Sequence, residues 1–144
     1  MNESPYLREN RLQDVVAALQ FLGTYRDYDL TEEEFRKLIA SDPRSAKSWA
    51  VIFREHQEFF RRSEGEGDFC LVLRRAKRND EKRHEIVPEL TSSELSMLID
   101  TAIHLQEHAM ELRKDRRAWI PFLLTGIGIV AALAGAIVGA IIKG

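Results

Sequence analysis

The chain has 144 residues, of which 44% are hydrophobic and 31% are charged, and it carries a net charge of −2. That balance argues against a protein held to nucleic acid by bulk positive charge. The single cysteine, Cys70, excludes an internal disulfide and fits a reducing compartment.

Three helices are predicted in the first part of the chain. The first ends at Gly23, and its apolar residues recur at helical spacing: Leu12, Val15, Val16, Leu19 and Leu22. The second begins at Thr31, which can form a capping box with Glu34. Its predicted buried stripe is Phe35, Leu38 and Ile39. The third follows the turn SDPRS, and its predicted buried face is Trp49, Ile52 and Phe53.

A β-hairpin is predicted after the third helix. In the run GDFCLVLRR, the residues Phe69, Leu71 and Leu73 alternate with Cys70 and Val72, as in a strand. The preceding SEGEG supplies a turn back to a short strand at residues 60–62. Within such a strand we expect Cys70 to be a packing residue rather than a nucleophile.

Three helices followed by a hairpin resemble a winged-helix domain, a helix-turn-helix variant with a β wing. The resemblance covers Leu12 to Arg75, and we assign residues 1–78 to a winged-helix-like domain. The segments LGTYRDYDLT, IFREHQEFFR, LVLRR and LIDTAIHL, followed by a basic flank and an apolar run, resemble a family of small, functionally uncharacterised bacterial membrane proteins. That second resemblance implies an architecture and a membrane location, and it implies no activity.

A charged linker and a stalk helix are predicted next. The linker covers residues 79–91, and the stalk helix, residues 92–117, opens with a capping box of Thr91 and Glu94. Apolar residues spaced three and four apart predict a seam along the stalk: Leu95, Leu98, Ala102, Leu105, Ala109 and Leu112. This seam could pair two chains as a dimer stalk, or it could pack on the winged-helix-like domain.

Residues 118–142 contain no charged side chain and are the predicted single C-terminal transmembrane helix. A helix of 25 residues is about 37 Å long, enough to cross a hydrocarbon core of about 30 Å. Basic residues concentrate on its N-terminal flank, so we expect a tail-anchored protein in the inner (cytoplasmic) membrane with its N-terminus in the cytosol. Rows of small residues along the span favour close helix packing, and they include Gly128, Ala131, Gly135 and Gly139.

Little catalytic chemistry is visible in the sequence. It has no phosphate-binding glycine loop, nucleotide motif or nucleophile elbow, so we expect no enzyme activity, no catalytic residue and no cofactor. His104 and His108 lie one helical turn apart, as metal-binding histidines do. No further cysteine or histidine cluster accompanies them, and we therefore expect no metal site.

Contact with nucleic acid is a candidate function, because a winged-helix domain places its third helix in the major groove. Basic residues of the predicted third helix and wing are candidate contacts with nucleic acid or with a protein partner: Arg44, Lys47, Arg54, Arg74 and Arg75. The acidic residues Glu55 and Glu58 and the overall negative charge disfavour nucleic acid.

We therefore expect a mainly α-helical protein with a small β-hairpin, anchored in the lipid bilayer. Its cytosolic winged-helix-like domain would sense or bind a protein partner, with self-association through the stalk and the anchor. Two alternatives stay open. One is a membrane-tethered DNA-binding regulator, and the other is an oligomerising, membrane-perturbing effector of a defence or toxin type.

Overall fold

The structure, a computed structural model, describes residues 4–27, 29–62, 68–77 and 87–114. The chain divides into two compact units, Met1–Glu107 and His108–Gly144. The described part of the first unit is mainly helical, with a small three-stranded antiparallel sheet. In the second unit the described residues, 108–114, are helical. Across the described ranges no helix is both long and apolar enough to cross a membrane. The predicted span 118–142 lies outside them.

The first unit follows the predicted order of helices and adds a strand and a helix to it. After a 3-10 helix, Pro5–Leu7, come α1 (Arg11–Thr24), β1 (Asp29–Thr31), α2 (Glu32–Ile39), α3 (Trp49–Glu55), β2 (Phe60–Arg62), β3 (Asp68–Leu71) and α4 (Val72–Lys77). The next helix, α5, covers residues 92–114, of which 108–114 belong to the second unit. The strands lie in the order β1-β3-β2, and β3 is antiparallel to both neighbours.

The start of α2 is fixed by the predicted capping box. Thr31 Oγ1 accepts a hydrogen bond from the Glu34 amide at 3.2 Å, and Glu34 Oε2 accepts one from the Thr31 amide at 2.9 Å. Phe35 is fully buried, as predicted, but Leu38 is 44% exposed and Ile39 is only half-buried. The predicted stripe is therefore wrong at Leu38, because α2 makes only about two turns and contributes one side chain, Phe35, to the core.

An aromatic core joins the helices to the sheet. The Phe35 ring packs edge-on against three others, with centroid distances of 5.1 Å to Phe21, 5.0 Å to Trp49 and 5.2 Å to Phe53. Phe53 continues the cluster to Phe60 and Phe69, whose ring centroids lie 5.0 and 4.9 Å away. Because one α3 side chain contacts rings of both β2 and β3, the third helix and the hairpin strands share one core. The predicted burial of Trp49, Ile52 and Phe53 is confirmed.

The second hairpin strand is shorter than predicted. It ends at Leu71, and Val72 donates the last backbone bond across to the Phe59 carbonyl at 2.9 Å. From Val72 the chain is helical, so Leu73 and the two arginines after it belong to α4 and not to a strand. The apolar alternation does not detect this change, because the Arg74 hydrogen bonds that hold α4 reach carbonyls of residues 22–27, which are distant in sequence.

Candidate functional site

The five predicted contact residues do not share one environment. The side chains of Arg44, Lys47, Arg54 and Arg75 are exposed, whereas Arg74 is fully buried. Arg54 Nε donates to its own helix at the Ala50 carbonyl, at 3.1 Å. The expectation that Arg74 contacts a partner at the surface is wrong, because α4 directs its side chain into the interior.

Arg74 occupies a cage of backbone carbonyls. Its Nη1 donates to Leu22, Tyr25 and Asp27 at 2.9, 2.6 and 3.2 Å, and its Nη2 donates to Arg26 and Val87 at 3.1 and 2.9 Å. Nε is buried and has no partner among the described residues. The guanidinium therefore joins the end of α1 to the segment that precedes α5.

The cage forms where α1 ends. The last carbonyls of a helix have no partner within it, and they carry the negative end of the helix dipole. A buried guanidinium satisfies several of them at once because its donors are fixed in a planar fork. Burial lowers the pKa of Arg74, and the carboxylates of Glu89, Asp27 and Asp29 oppose that shift. Arginine starts so far above neutrality that the side chain stays charged.

Residues 87–95, here called the docking segment, pack against α1. Val87 and Leu90 are buried, and the Leu90 amide donates to the Gly23 carbonyl at 2.8 Å. A Cβ built on Gly23 would lie 3.2 Å from Leu95 Cδ1 and 3.4 Å from Leu90 Cδ1. Gly23 is the second-last residue of α1, which ends at Thr24, one residue beyond the predicted end, and its lack of a side chain lets the docking segment approach closely.

A charged contact closes the other side of the docking segment. Lys77 Nζ of α4 lies 2.5 Å from Glu94 Oε1 and donates to Glu94 Oε2 at 2.6 Å. The predicted capping box is present here, since Glu94 Oε2 also accepts from the Thr91 amide at 2.8 Å. The lysine hydrogen bond, together with the Thr91 bonds, lowers the pKa of Glu94 to about 2. The first turn of α5 is thus tied to α4.

The six predicted seam residues of α5 differ in exposure. Leu95 faces Gly23 of α1, which supports packing on the domain at that residue. Ala102 and Ala109 are buried, and Leu98 is half-buried. Leu105 and Leu112 are 36% and 54% exposed.

A second network fixes the N-terminal residues to α3. Glu55 accepts from Arg8 Nη1 at 2.8 Å, and its Oε2 lies 2.7 Å from Nη1 of the buried Arg11. Asp14 accepts from the amides of Arg44 and Ser45 at 3.1 and 2.7 Å, which orders the loop before α3. Glu55, the acidic residue of α3 that was expected to disfavour nucleic acid, is therefore paired within the domain.

A tyrosine, a glutamate and a histidine meet beside this network. Tyr6 donates to Glu58 Oε1 at 2.7 Å, and the buried His56 places Nδ1 3.1 Å from the same oxygen. Burial raises the pKa of Tyr6, with Glu58 adding to the shift. Burial also acts to raise the pKa of Glu58, but hydrogen bonds from His56 and Tyr6 outweigh it and the net shift is downward. The cluster holds the 3-10 helix against the end of α3.

Other candidate groups are isolated or lie outside the described residues. His104 and His108 are exposed, with His104 Nδ1 3.4 Å from Glu107 Oε2, and the described ranges contain no group of side chains that could hold a metal. Cys70 is buried, and burial raises the pKa of its thiol. The small residues Gly128, Ala131, Gly135 and Gly139 fall outside the described ranges.

Comparison of the chain with protein-family models, curated proteins and solved structures found no match. The winged-helix resemblance and the membrane-protein resemblance stay predictions.

The Arg74 cage and the Gly23 contact are among the features that were not predicted from the sequence. Arg74 directly follows the apolar run FCLVL, which is a weak signal that an arginine is buried. Its acceptors are backbone carbonyls, which any residue type supplies, so no motif marks them. Gly23 was visible as a glycine beside an apolar helix face, and a close approach is one of the reasons for such a residue.

Proposed function

We propose that this chain is a single-pass membrane protein whose N-terminal residues form a winged-helix-like domain for sensing or protein interaction. The uncharged run 118–142 would anchor it in the inner membrane with residues 1–117 in the cytosol. The domain would be presented through α5, the helix that precedes the predicted span.

The order of elements supports the winged-helix part of the proposal. Three helices precede an antiparallel strand pair, and the strand between α1 and α2 completes the sheet by pairing with β3. Two features depart from a helix-turn-helix. Nine residues, 40–48, separate α2 from α3, where a turn of about three or four is usual. α3 itself has only seven residues.

Protein interaction is favoured over nucleic-acid binding because residues in positions that would face nucleic acid are used inside the domain. Arg74 is enclosed by backbone carbonyls and is not available to a phosphate. Trp49, the first residue of α3, is buried and donates to the Ser41 carbonyl. A recognition helix reads bases with its N-terminal residues, and this helix uses them for the core.

Nucleic-acid binding is the second candidate, because Arg44, Lys47, Arg54 and Arg75 remain exposed. Fluorescence anisotropy with labelled duplex DNA, between about 50 and 200 mM salt, separates the two functions. We expect no salt-sensitive binding of the duplex to the protein. The anisotropy should not change when Lys47 and Arg54 are replaced by alanine. A steep salt dependence, whose slope decreases by about 1 for each arginine or lysine removed, would establish phosphate contacts and overturn the choice.

A further inference from the structure

We infer that Arg74 and Lys77 form a releasable clasp that holds the docking segment on α1 and couples its opening to α4. The inference goes beyond the proposed function, because the clasp exists whether or not residues 118–142 cross a membrane. Both arms come from α4, a helix that starts directly after β3. One arm reaches the Val87 carbonyl and the other reaches the Glu94 carboxylate, at the two ends of the docking segment.

The clasp can open without dismantling the cage. Four of the five carbonyls bound by Arg74 belong to residues 22–27, at or just after the end of α1. Only the bond to Val87 crosses to the docking segment. Release of residues 87–95 therefore leaves the guanidinium anchored on the end of α1, with most of its hydrogen bonds intact.

One atom of the clasp is unsatisfied. Arg74 Nε is buried and has no hydrogen-bond partner among the described residues. An unsatisfied buried donor lowers the net stabilisation that a buried arginine provides. The Lys77–Glu94 contact and the packing of Leu90 and Leu95 on Gly23 therefore add to the Arg74–Val87 bond in holding the docking segment.

Coupling follows from the shared helix. Because both arms belong to α4, the helix is held by the docking segment, and the docking segment is held by α4. We expect loss of one contact to weaken the other, and by linkage the free energy of this effect is the same in both directions. A partner that moves β3 or α4 would release the start of α5, and a pull on α5 would loosen α4.

Hydrogen exchange on the full-length chain in detergent tests the clasp, with amides grouped as docking segment, α4 and α3. In the unmodified chain we expect docking-segment and α4 amides to exchange at least about tenfold faster than those of α3, by local opening. Lys77→Met leaves the cage untouched and should speed exchange in the docking segment and in α4 by about tenfold, with α3 unchanged. Arg44→Met is the charge-matched control, because the bond of Arg44 to Asp14 comes from its backbone amide, and it should change nothing.

Arg74→Met should open the same two groups, and Arg74→Lys should have a smaller effect because it keeps the charge. If Arg74→Met does not fold, Lys77→Met alone decides. The inference is overturned if docking-segment amides exchange in step with α3 in the unmodified chain, since opening is then global. It is equally overturned if Lys77→Met frees the docking segment without affecting α4.

Discussion

Substitution of Gly23 tests the close contact between α1 and the docking segment. An alanine Cβ would lie 3.2 Å from Leu95 Cδ1, so Leu95 must move by a few tenths of an ångström, and it would lie 3.4 Å from Leu90 Cδ1, which is close to ordinary van der Waals contact. Both atoms are ends of flexible side chains. Alanine gains up to about 0.8–1 kcal/mol over glycine in a helix, and less at Gly23 because it is the second-last residue of α1. We expect the two effects to offset each other, leaving Gly23→Ala within about 0.5 kcal/mol of the unmodified protein.

Isoleucine changes the balance. Its γ carbons extend beyond the Cβ into the volume that Leu90 and Leu95 already fill, and overpacking of this kind costs about 1–3 kcal/mol. Its helix propensity over glycine returns only about 0.5 kcal/mol. We therefore expect a net loss of about 1–2 kcal/mol, concentrated in the docking segment, which can relieve the clash by leaving α1.

Two measurements quantify the effect. Urea unfolding gives the change in free energy from the midpoint and the slope. Hydrogen exchange at the Leu90 amide, which donates to the Gly23 carbonyl, should accelerate about tenfold for each 1.4 kcal/mol of docking free energy lost. Gln20→Ile, on the exposed side of α1, is the matched control and should leave Leu90 protected. If Gly23→Ile leaves both stability and Leu90 protection unchanged, Gly23 does not face the docking segment.

Three further predictions concern the core, the charged contact and the predicted membrane helix. Phe53→Ala should lower the free energy of urea unfolding by about 3–5 kcal/mol, against less than about 0.5 for the exposed Lys47→Ala, and equal effects would mean the facing of α3 is wrong. The pKa of Glu94 is lowered to about 2, so its stabilisation of the docking segment is complete above the ordinary value of 4.5 and is lost as pH falls towards 2. Exchange protection of the segment should show that loss, and Glu94→Gln should remove this step, whereas an unchanged profile would exclude the contact. In a two-helix membrane reporter, isoleucine at Gly135 and Gly139 should abolish self-association, and an unaffected signal would exclude the small-residue row as the interface.

Local sequence signals predicted much of the fold. Both capping boxes, at Thr31 and Thr91, depend on residues three apart and are present as expected. The aromatic face of α3 was readable because Trp49 and Phe53 recur at helical spacing. These features depend on neighbours in the chain, which a sequence displays directly.

Features held by distant contacts were not predictable in the same way. β1 has three residues and exists because it pairs with β3 about forty residues later, so it has no alternation of its own. Arg74 was assigned to a wing because its neighbours alternate like a strand. The carbonyls that bury it belong to Leu22 of α1, to residues 25–27 just after that helix, and to Val87. The charge of a side chain predicts exposure only where no buried acceptors are arranged to receive it.

Membrane anchoring by residues 118–142 is the property on which the proposed function depends most directly. Carbonate extraction of bacterial membranes measures it, and we expect the full-length chain to remain in the pellet. Arginines at Ala131 and Leu133 should release the chain, since each charge near the bilayer centre opposes insertion by about 2.5–3.5 kcal/mol. A chain ending at Arg117 should be found in the supernatant and remain folded. Recovery of the unmodified full-length chain in the carbonate supernatant would contradict the anchor.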